Sequence, residues 1–388
     1  MNVLMIVSWY TSCREKLLRE GIFHNEQAVD LSNYCNTAIY FPFDKDMESR
    51  YSIKREWDVL TYRSKYVKLK TGKSIFLKIK NKILIQYNYL KIIVGFRKIN
   101  KDFKPDILHV HAAGGAGTIG TLIGKLYRIP VVVTEHLPVE MMNYKQSCRS
   151  YNLGRYVYGN SVYNACVSRD LKDKLEELFP NYQFHTIYNG IAMPEVSGEK
   201  GRYYAAGYVN VGIVALLYDK EIKGMQFLLP AIKELIDSGT KIVLHHIGGG
   251  AYLEYYKKMA KELEIDSNCI FYGQRSKQDV NDIVNEMDFF VSASLVESAG
   301  VAVMEAMMLG KPVLGTKSGG VNSLVPDFAG IIVEKGSTNA LVNGIRYMVK
   351  NYGSFDKDRI KKYAIDNFLI DNISKKYMKV YTDVLKKI

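Results

Sequence analysis

The sequence predicts an α/β fold made of two Rossmann-like, doubly wound parallel-sheet halves with a cleft between them. Short runs rich in β-branched residues alternate with segments of helical period along the whole chain, which is typical of parallel strands joined by helices. A length of 388 residues, 47% hydrophobic and 24% charged, is enough for two ordinary cores. Because open α/β sheets bind ligands at the carboxyl ends of their strands, we expect the functional residues there.

The strands of each half are predicted from these β-branched runs. In the first half they are Asn2–Trp9, Thr37–Phe41, Ile107–His111, Pro130–Thr134, Ala165–Ser168 and Phe184–Ile187. In the second half they are Val209–Leu216, Lys241–Ile247, Cys269–Tyr272, Phe289–Ser292 and Pro312–Gly315. Turn-forming pairs between Ile187 and Val209 indicate an interdomain connection. We therefore place the domains at 1–200 and 201–365, followed by a C-terminal helix over 366–388 that returns to the first domain.

The composition argues against secretion and membrane insertion. The apolar start, MNVLMIVSWY, has no basic region before it and no small-residue cleavage site after it, so it predicts a first core strand. No run reaches the roughly 18 apolar residues that a spanning helix needs. The five cysteines, at positions 13, 35, 148, 166 and 269, have no paired spacing. They predict reduced thiols in a cytoplasmic protein, with no disulfide framework and no zinc site.

The positive charge of the chain is concentrated in one segment. Residues 50–104 contain sixteen Lys/Arg and three acidic residues, an excess equal to the net +13 of the whole chain. One interpretation is the solvated face of an amphipathic helix. The other is docking to an anionic surface. Interleaved aliphatic residues and the lack of a nucleic-acid module favour lipid over nucleic acid, and therefore peripheral attachment to the inner face of a membrane.

Three short motifs suggest other chemistry. Gly115–Gly120 matches the dinucleotide fingerprint G-x-G-x-x-G, and Glu135 ends the next strand, where a ribose-binding acid of an NAD enzyme would lie. The same glycines would also suit close packing of a helix on a strand. Asp44-Lys45-Asp46 matches a metal-binding D-x-D, or a solvated loop. Gly248-Gly249-Gly250 suits either approach to a phosphate or a tight turn.

The most informative segment is SASLVESAGVAVMEAMMLGKPVLGTKSGG, from Ser292 to Gly320. If a helix begins near Ala299, Glu297 lies in the loop before it and Glu305 about two turns inside it. The uncapped start of that helix would attract a diphosphate through its unpaired N–H groups and its dipole. The two carboxylates would lie on either side of the anion, where each can accept hydrogen bonds from vicinal hydroxyls. Glu305 has apolar neighbours, so it needs a partner for its charge.

This segment resembles the E-x7-E signature of retaining glycosyltransferases of family four (glycosyl transferases group 1), which have the GT-B fold. Further matches occur in the family's order and spacing: PDILHVH (Pro105–His111), PVVVTEH (Pro130–His136), VSRDL (Val167–Leu171), YNGI (Tyr188–Ile191), IFYG (Ile270–Gly273) and GKPV (Gly310–Val313). The resemblance implies an acceptor-binding first domain and a nucleotide-sugar-binding second domain.

The resemblance also implies roles for individual residues. Glu297 would bind the hydroxyls of the donor sugar, Glu305 the ribose, and His136 the transferred sugar. By contrast, His109 and His111 share one face of their strand, which predicts that they are packing residues. The implied catalytic residues are His136, Glu297 and Lys223. The implied donor-binding residues are Gly21, Lys220, Gly248, Gly273, Ser298, Ala299, Gly300, Val301 and Glu305. No metal ion or other cofactor is expected.

The chain departs from the family at one position. The family places an Arg and then a Lys after the first strand of the second domain to hold the diphosphate. Lys223 matches the Lys, but Leu216 or Leu217 stands where the Arg is expected, and Lys220 would have to supply the second charge. A Lys lacks the fixed bidentate geometry of Arg.

The sequence therefore predicts transfer of a hexose from a nucleoside diphosphate sugar, UDP-linked by preference, with retention. The expected acceptor is a glycan or lipid-linked glycan of cell-surface polysaccharide synthesis. Two alternatives remain: a sugar-nucleotide 2-epimerase on the same fold, and an NAD-dependent oxidoreductase that uses Gly115–Gly120.

Overall fold

The structure is a computed structural model that describes residues 1–10, 21–69, 71–72, 74–199 and 201–387. The prediction for Cys13 lies outside these residues, whereas Cys35, Cys148, Cys166 and Cys269 are free thiols. The chain divides into two compact units. The first comprises Met1–Val167, Lys172–Gly190 and Ile370–Ile388, and the second comprises Ser168–Leu171 and Ile191–Leu369.

The first unit is built on an eight-stranded sheet. Its strands are β1 (Asn2–Val7), β2 (Asn36–Asp44), β3 (Tyr51–Glu56), β4 (Val59–Lys65), β5 (Ile107–His111), β6 (Val131–Glu135), β7 (Tyr163–Cys166) and β8 (His185–Thr186). They lie in the order β3-β4-β2-β1-β5-β6-β7-β8, and only the pairing of β3 with β4 is antiparallel. The central strands are buried on both faces, which is why most of their residues are apolar.

Helices cover this sheet. They are α1 (Ile22–Leu31), α2 (Ile75–Asp102), α3 (Gly115–Tyr127), α4 (Val139–Met142), α5 (Cys148–Tyr158) and α6 (Arg169–Leu178). The 28-residue α2 is the longest of the described helices and contains the apolar part of the basic segment. In the part of the chain that the structure describes, no helix combines the length and the apolar character needed to cross a membrane.

The first part of the basic segment is a β-hairpin, so the prediction of one helical face over 50–104 is wrong there. Strands β3 and β4 pair antiparallel around a two-residue turn at Trp57 and Asp58, both with positive φ. Arg63 on β4 is buried and its guanidinium lies 2.7 Å from carboxylates of both Asp44 and Glu56. Asp44 is therefore a buried ion-pair partner at the end of β2, and the solvated-loop interpretation is wrong for this residue, whereas Lys45 is exposed and Asp46 is partly exposed in the bend that follows.

The second unit is built on a six-stranded parallel sheet in the order β11-β10-β9-β12-β13-β14. Its elements are β9 (Val209–Val214), α7 (Met225–Asp237), β10 (Ile242–Ile247), α8 (Leu253–Glu262), β11 (Cys269–Phe271), α9 (Lys277–Glu286), β12 (Phe289–Ser292), α10 (Val301–Met308), β13 (Val313–Thr316), α11 (Gly320–Leu324), β14 (Gly330–Val333), α12 (Thr338–Asn351) and α13 (Lys357–Phe368). Strand β14, at the edge of the sheet, was absent from the predicted set. Its addition leaves two Rossmann-like parallel-sheet units, as predicted.

The last helix, α14 (Ile370–Lys386), belongs to the first unit. Its Tyr377 hydroxyl lies 2.8 Å from the Thr134 hydroxyl, and its Tyr381 hydroxyl lies 2.7 Å from Nδ1 of His109. Both tyrosines are buried. Because buried hydroxyls need partners, these hydrogen bonds fix α14 on the strands β5 and β6.

Candidate functional site

The second unit has a cavity at the point where its strand order reverses. From β9 the chain continues to β10 on one side and later returns to β12 on the other. In open parallel sheets ligands bind at such a switch point, beyond the carboxyl ends of the strands. The cavity measures about 310 Å³. It is lined by Ile213, Val214, Ala215, Leu216, Lys223, Phe290, Val291, Ser292, Ser294, Glu297, Gly300, Val301, Ala302, Val303 and Glu305.

The start of α10 faces this cavity. Gly300 precedes the helix in the left-handed conformation (φ 66°), and no side chain of the described residues caps that end. A Cβ at Gly300 would lie 2.7 Å from Cδ1 of Leu324, so only glycine fits both the dihedral angle and the space. Since Gly300, Val301 and Ala302 line the cavity, the positive end of the helix dipole is available to an anion there.

Glu297 and Lys223 form an ion pair at the edge of the cavity. The Lys223 Nζ lies 2.8 Å from Oε2 of Glu297. The Glu297 N–H donates to the Ser318 carbonyl at 2.8 Å, and the Gly320 N–H donates to the Glu297 carbonyl at 2.7 Å. Lys223 is positioned by Gly224, which has positive φ and leaves no room for a Cβ beside the Ala293 carbonyl. Backbone contacts on both sides therefore place one cation and one carboxylate together.

Glu305 has a partner that the sequence reasoning missed. It lies in the second turn of α10, its side chain is 15% exposed, and it pairs with Nζ of Lys277. Lys277 is the first residue of α9, directly after the helix cap Ser276. No periodic or motif signal links positions 28 residues apart, so this pairing was visible only in the fold. It supplies the partner that the apolar surroundings of Glu305 require.

Other predicted donor-binding residues lie outside the cavity lining. The Lys220 ammonium is 4.7 Å from the centroid of the Tyr255 ring. The Gly248 N–H donates to the Gly273 carbonyl at 2.9 Å, and a Cβ at Gly248 would lie 2.1 Å from the Ala215 carbonyl oxygen. Their roles as donor contacts, like those of Ser298 and Ala299, stay predictions.

Leu216 lies where the missing Arg would be useful. It is 52% exposed and lines the cavity, whereas the neighbouring Leu217 is fully buried. Of the two positions considered from the sequence, Leu216 is therefore the one that faces the cavity. An apolar side chain there contributes no charge toward an anion. Lys223 is the lysine that lines the cavity.

The first unit places a cluster of histidines at its own switch point, between β1 and β5. His24, His111 and His136 are buried, and their ligand nitrogens lie within 4.8 Å of one another, a spacing that could hold a metal ion. Nδ1 of His111 and Nε2 of His136 are 2.8 Å apart and share a hydrogen bond. Gly21, at the start of α1, has φ 69° and would place a Cβ 2.9 Å from the Trp9 carbonyl oxygen.

Burial decides the charge of His136. It lowers the pKa of the His136 imidazole to about 3 and that of His109 to about 3. Both rings are therefore neutral at neutral pH. A neutral imidazole has one donor and one acceptor nitrogen. Because Nε2 of His136 is bonded to His111, Nδ1 is the ring nitrogen left for a sugar hydroxyl.

The dinucleotide-type motif is packed against the sheet. A Cβ at Gly117 would lie 2.7 Å from the Ala112 carbonyl oxygen, and one at Gly120 would lie 2.3 Å from Cγ1 of Val110. Glu135 is buried and accepts hydrogen bonds from the N–H groups of residues 113, 136 and 137 and from the Tyr158 hydroxyl. Burial raises the pKa of Glu135 despite these donors. These contacts favour the packing interpretation of the glycines.

Two family models match the chain. The model of glycosyl transferases group 1 matches residues 214–366, and that of glycosyltransferase family 4 matches residues 64–193. Together they cover well over half of the sequence. The first contains every residue of the described cavity except Ile213.

Relatives of known name agree with these matches. An uncharacterized glycosyltransferase of Methanocaldococcus jannaschii is 28% identical over 72% of this chain and 79% of its own length. An alpha-monoglucosyldiacylglycerol synthase of Streptococcus pneumoniae is 27% identical over 60% of this chain and 57% of its own length. An N-acetyl-alpha-D-glucosaminyl L-malate synthase of Bacillus anthracis is 25% identical over 72% and 75%, respectively.

Solved structures share the fold along the full chain. Sucrose-phosphate synthase of Thermosynechococcus elongatus superposes with a TM-score of 0.79 at 15% identity, covering 100% of both chains. Anabaena HepE in complex with UDP superposes with a TM-score of 0.75 at 14% identity, covering 99% of this chain and 100% of that one. With the two family matches, these likenesses establish that the chain belongs to the glycosyl transferases of group 1 and has the GT-B fold.

Proposed function

We propose that the protein transfers a hexose from a UDP-linked sugar to an acceptor hydroxyl, with retention at the anomeric carbon and without a metal ion. One observation carries this proposal. Both carboxylates of the E-x7-E segment and the cation Lys223 line a single cavity at the uncapped start of α10. That combination suits a ligand with both a diphosphate and vicinal hydroxyls.

Each charge in the cavity has a task in this reaction. The leaving diphosphate gains negative charge in the transition state, and Lys223 with the positive end of α10 would stabilise it. Glu297 would accept hydrogen bonds from hydroxyls of the donor sugar, and Glu305 from those of the ribose. Ion pairs with Lys223 and Lys277 hold the two carboxylates in place before the donor arrives.

Retention requires that the acceptor approach the face from which the diphosphate leaves. A phosphate oxygen of the leaving group would then take the acceptor's proton while the new glycosidic bond forms. The sugar would pass through an oxocarbenium-like state. No base of the protein is needed in this scheme, which fits a cavity whose lining carboxylates are both held in ion pairs.

The donor and acceptor classes are supported by relatives. HepE of Anabaena has been solved with UDP and with UDP-glucose. One relative is named for the synthesis of a glucosyldiacylglycerol and another for teichuronic acid biosynthesis. We therefore propose a glycan or lipid-linked acceptor in cell-surface polysaccharide or glycolipid synthesis.

The direct test compares ligands by titration calorimetry and thermal shift. We expect UDP to bind and to raise the melting temperature, GDP to do so more weakly, and NAD to have no effect. Stabilisation by NAD alone would overturn the proposal. Incubation with UDP-sugars and no acceptor should leave the configuration of the sugar unchanged. Epimerisation at C2 would instead assign the protein to the epimerases of this fold.

Site variants test the assigned roles. Glu305→Ala should weaken UDP binding by roughly 10- to 100-fold, since it removes a charged hydrogen-bond acceptor. His136→Ala should mainly lower kcat and leave the Kd for UDP nearly unchanged. Activity should survive EDTA treatment. Loss of activity on chelation, with recovery on adding zinc, would instead implicate the His24, His111 and His136 cluster as a metal centre.

A further inference from the structure

Helix α2 in the first unit has two apolar faces, and only one of them packs on other residues that the structure describes. The buried face consists of Asn88, Ile92, Phe96 and Ile99. A helix on the surface of a globular protein normally buries one apolar stripe and exposes a polar one. The exposed side of α2 is therefore unusual, and its residues decide what it can bind.

The exposed side carries a continuous row of large apolar side chains. They are Ile75, Phe76, Ile79, Ile83, Tyr87, Leu90 and Val94, each 49–83% exposed. At about 100° per residue, these seven positions fall within an arc of about 120° that lies opposite the buried face. We call this row the exposed stripe. Contiguous apolar surface of this kind marks a binding site for a partner or a membrane.

The charges around the exposed stripe are of one sign. Lys80 and Lys82 flank it on either side, and Arg97 and Lys101 continue it toward the C-terminal end of α2; all four are exposed. The sequence from Val59 to Lys101 contains no acidic residue. An occupant of this face must therefore be apolar along its centre and anionic at its margins.

We infer that α2 docks onto the surface of an anionic lipid bilayer, with the exposed stripe inserted at the level of the headgroups and the flanking lysines on lipid phosphates. Interfacial helices combine these two features. A second copy of this chain would bring like charges together, and nucleic acid would leave the apolar row in water. The inference does not depend on the proposed transferase activity, because a soluble acceptor would leave it unchanged.

Vesicle sedimentation of the full chain tests this surface. The native protein should bind vesicles of phosphatidylcholine mixed with phosphatidylglycerol and bind phosphatidylcholine alone at least about tenfold more weakly. The double variant Phe76→Gln, Ile83→Gln keeps good helix formers and should lose at least about tenfold in partitioning. The double variant Lys80→Gln, Lys82→Gln should lose about tenfold or more at low salt.

A matched control separates docking from a general loss of apolar surface. Leu126 and Val162, 57% and 53% exposed, lie in the first unit outside α2. Leu126→Gln, Val162→Gln should partition like the native chain. Equal binding by the stripe variant and the native chain, or no binding of the native chain to mixed vesicles, would overturn the inference. Retention of the native chain on DNA without vesicle binding, lost in Lys80→Gln, Lys82→Gln, would assign the face to nucleic acid.

Discussion

Two helices of this protein begin with glycine-containing motifs beyond a parallel strand, and they are used differently. At the start of α3, the Ala116 N–H donates to the Ser8 hydroxyl at 3.3 Å and the Gly117 N–H to the Ala112 carbonyl at 3.0 Å. At the start of α10, no described side chain caps the helix, and Gly300, Val301 and Ala302 line a cavity. The same local pattern therefore closes one end and leaves the other available.

The two helix starts differ in which atoms contact their glycines and in which groups the neighbouring carboxylates bind. The glycines of α3 bring the helix close to β5. Both carboxylate oxygens of Glu135 accept hydrogen bonds, from backbone N–H groups and from a tyrosine hydroxyl. The two carboxylates that line the cavity beside α10 pair instead with the lysines Lys223 and Lys277, and a ligand can displace these pairs. A motif's spacing thus indicates a tight approach of backbone, but not whether a ligand or a strand makes that approach.

The largest expected effect comes from the carboxylate beside α10. Glu297→Gln keeps the size of the side chain and removes its charge, so we expect kcat to fall by about 100-fold or more, because binding specific to the transition state is lost. The Kd for UDP, which lacks the hexose, should change by less than about threefold. Initial rates and calorimetry measure the two quantities.

Glu254→Gln is the matched control for this variant. Glu254 pairs with Lys257 at 2.8 Å, the same separation as in the pair of Glu297 with Lys223, but on the solvated surface of α8. Exposed pairs of this kind contribute little, so the control should keep native activity. Comparable kcat in Glu297→Gln and Glu254→Gln would show that Glu297 has no role in the reaction.

The second effect is on stability, at the other helix. Gly120→Ala would place a methyl group 2.3 Å from Cγ1 of the buried Val110. Such overpacking costs about 1–3 kcal/mol of the free energy of unfolding, so the denaturation midpoint should fall while the Kd for UDP is unchanged. Gly353→Ala, where no atom lies within 4 Å of the added Cβ, is the control. If the Gly120→Ala variant lost UDP binding without any loss of stability, the nucleotide would have to bind at the start of α3 instead of at α10.

The sequence predicted the centres of both sheets better than their edges. Strands β5 and β12 were predicted with the observed bounds, because nearly all their residues are buried and most of them are apolar. The hairpin of β3 and β4 was missed because its strands carry Lys and Arg, and because its turn at Trp57 and Asp58 contains none of the usual Asn-Gly or Asp-Gly signals. An edge strand in which charged and apolar residues alternate has the same composition as one face of a charged helix, so composition alone does not distinguish the two.

The candidate site was predictable where residues are close in sequence. Glu297, Gly300 and Glu305 lie within one loop and helix, so a local motif places them together. Lys277 comes from a different crossover, and its ion pair with Glu305 depends on how α9 and α10 pack on the sheet. Whether Leu216 or Leu217 faces the cavity depended on the exact end of β9, which is the kind of boundary that sequence patterns leave open.

The smallest expected effect tests the position that departs from the family. Leu216→Arg adds a cation to the cavity lining, where a guanidinium can hydrogen-bond a diphosphate in a bidentate manner. We expect UDP to bind about two- to tenfold more tightly, since the side chain is half exposed and its charge is partly screened by solvent. The affinity for uridine, which has no phosphate, should not change, and Leu216→Gln should show no gain. The gain should shrink as salt is added, because screening weakens an exposed pair. An equal gain for uridine, or none for UDP, would show that the diphosphate does not lie beside the end of β9. The start of α10 would then no longer differ from that of α3 as a binding site for an anion.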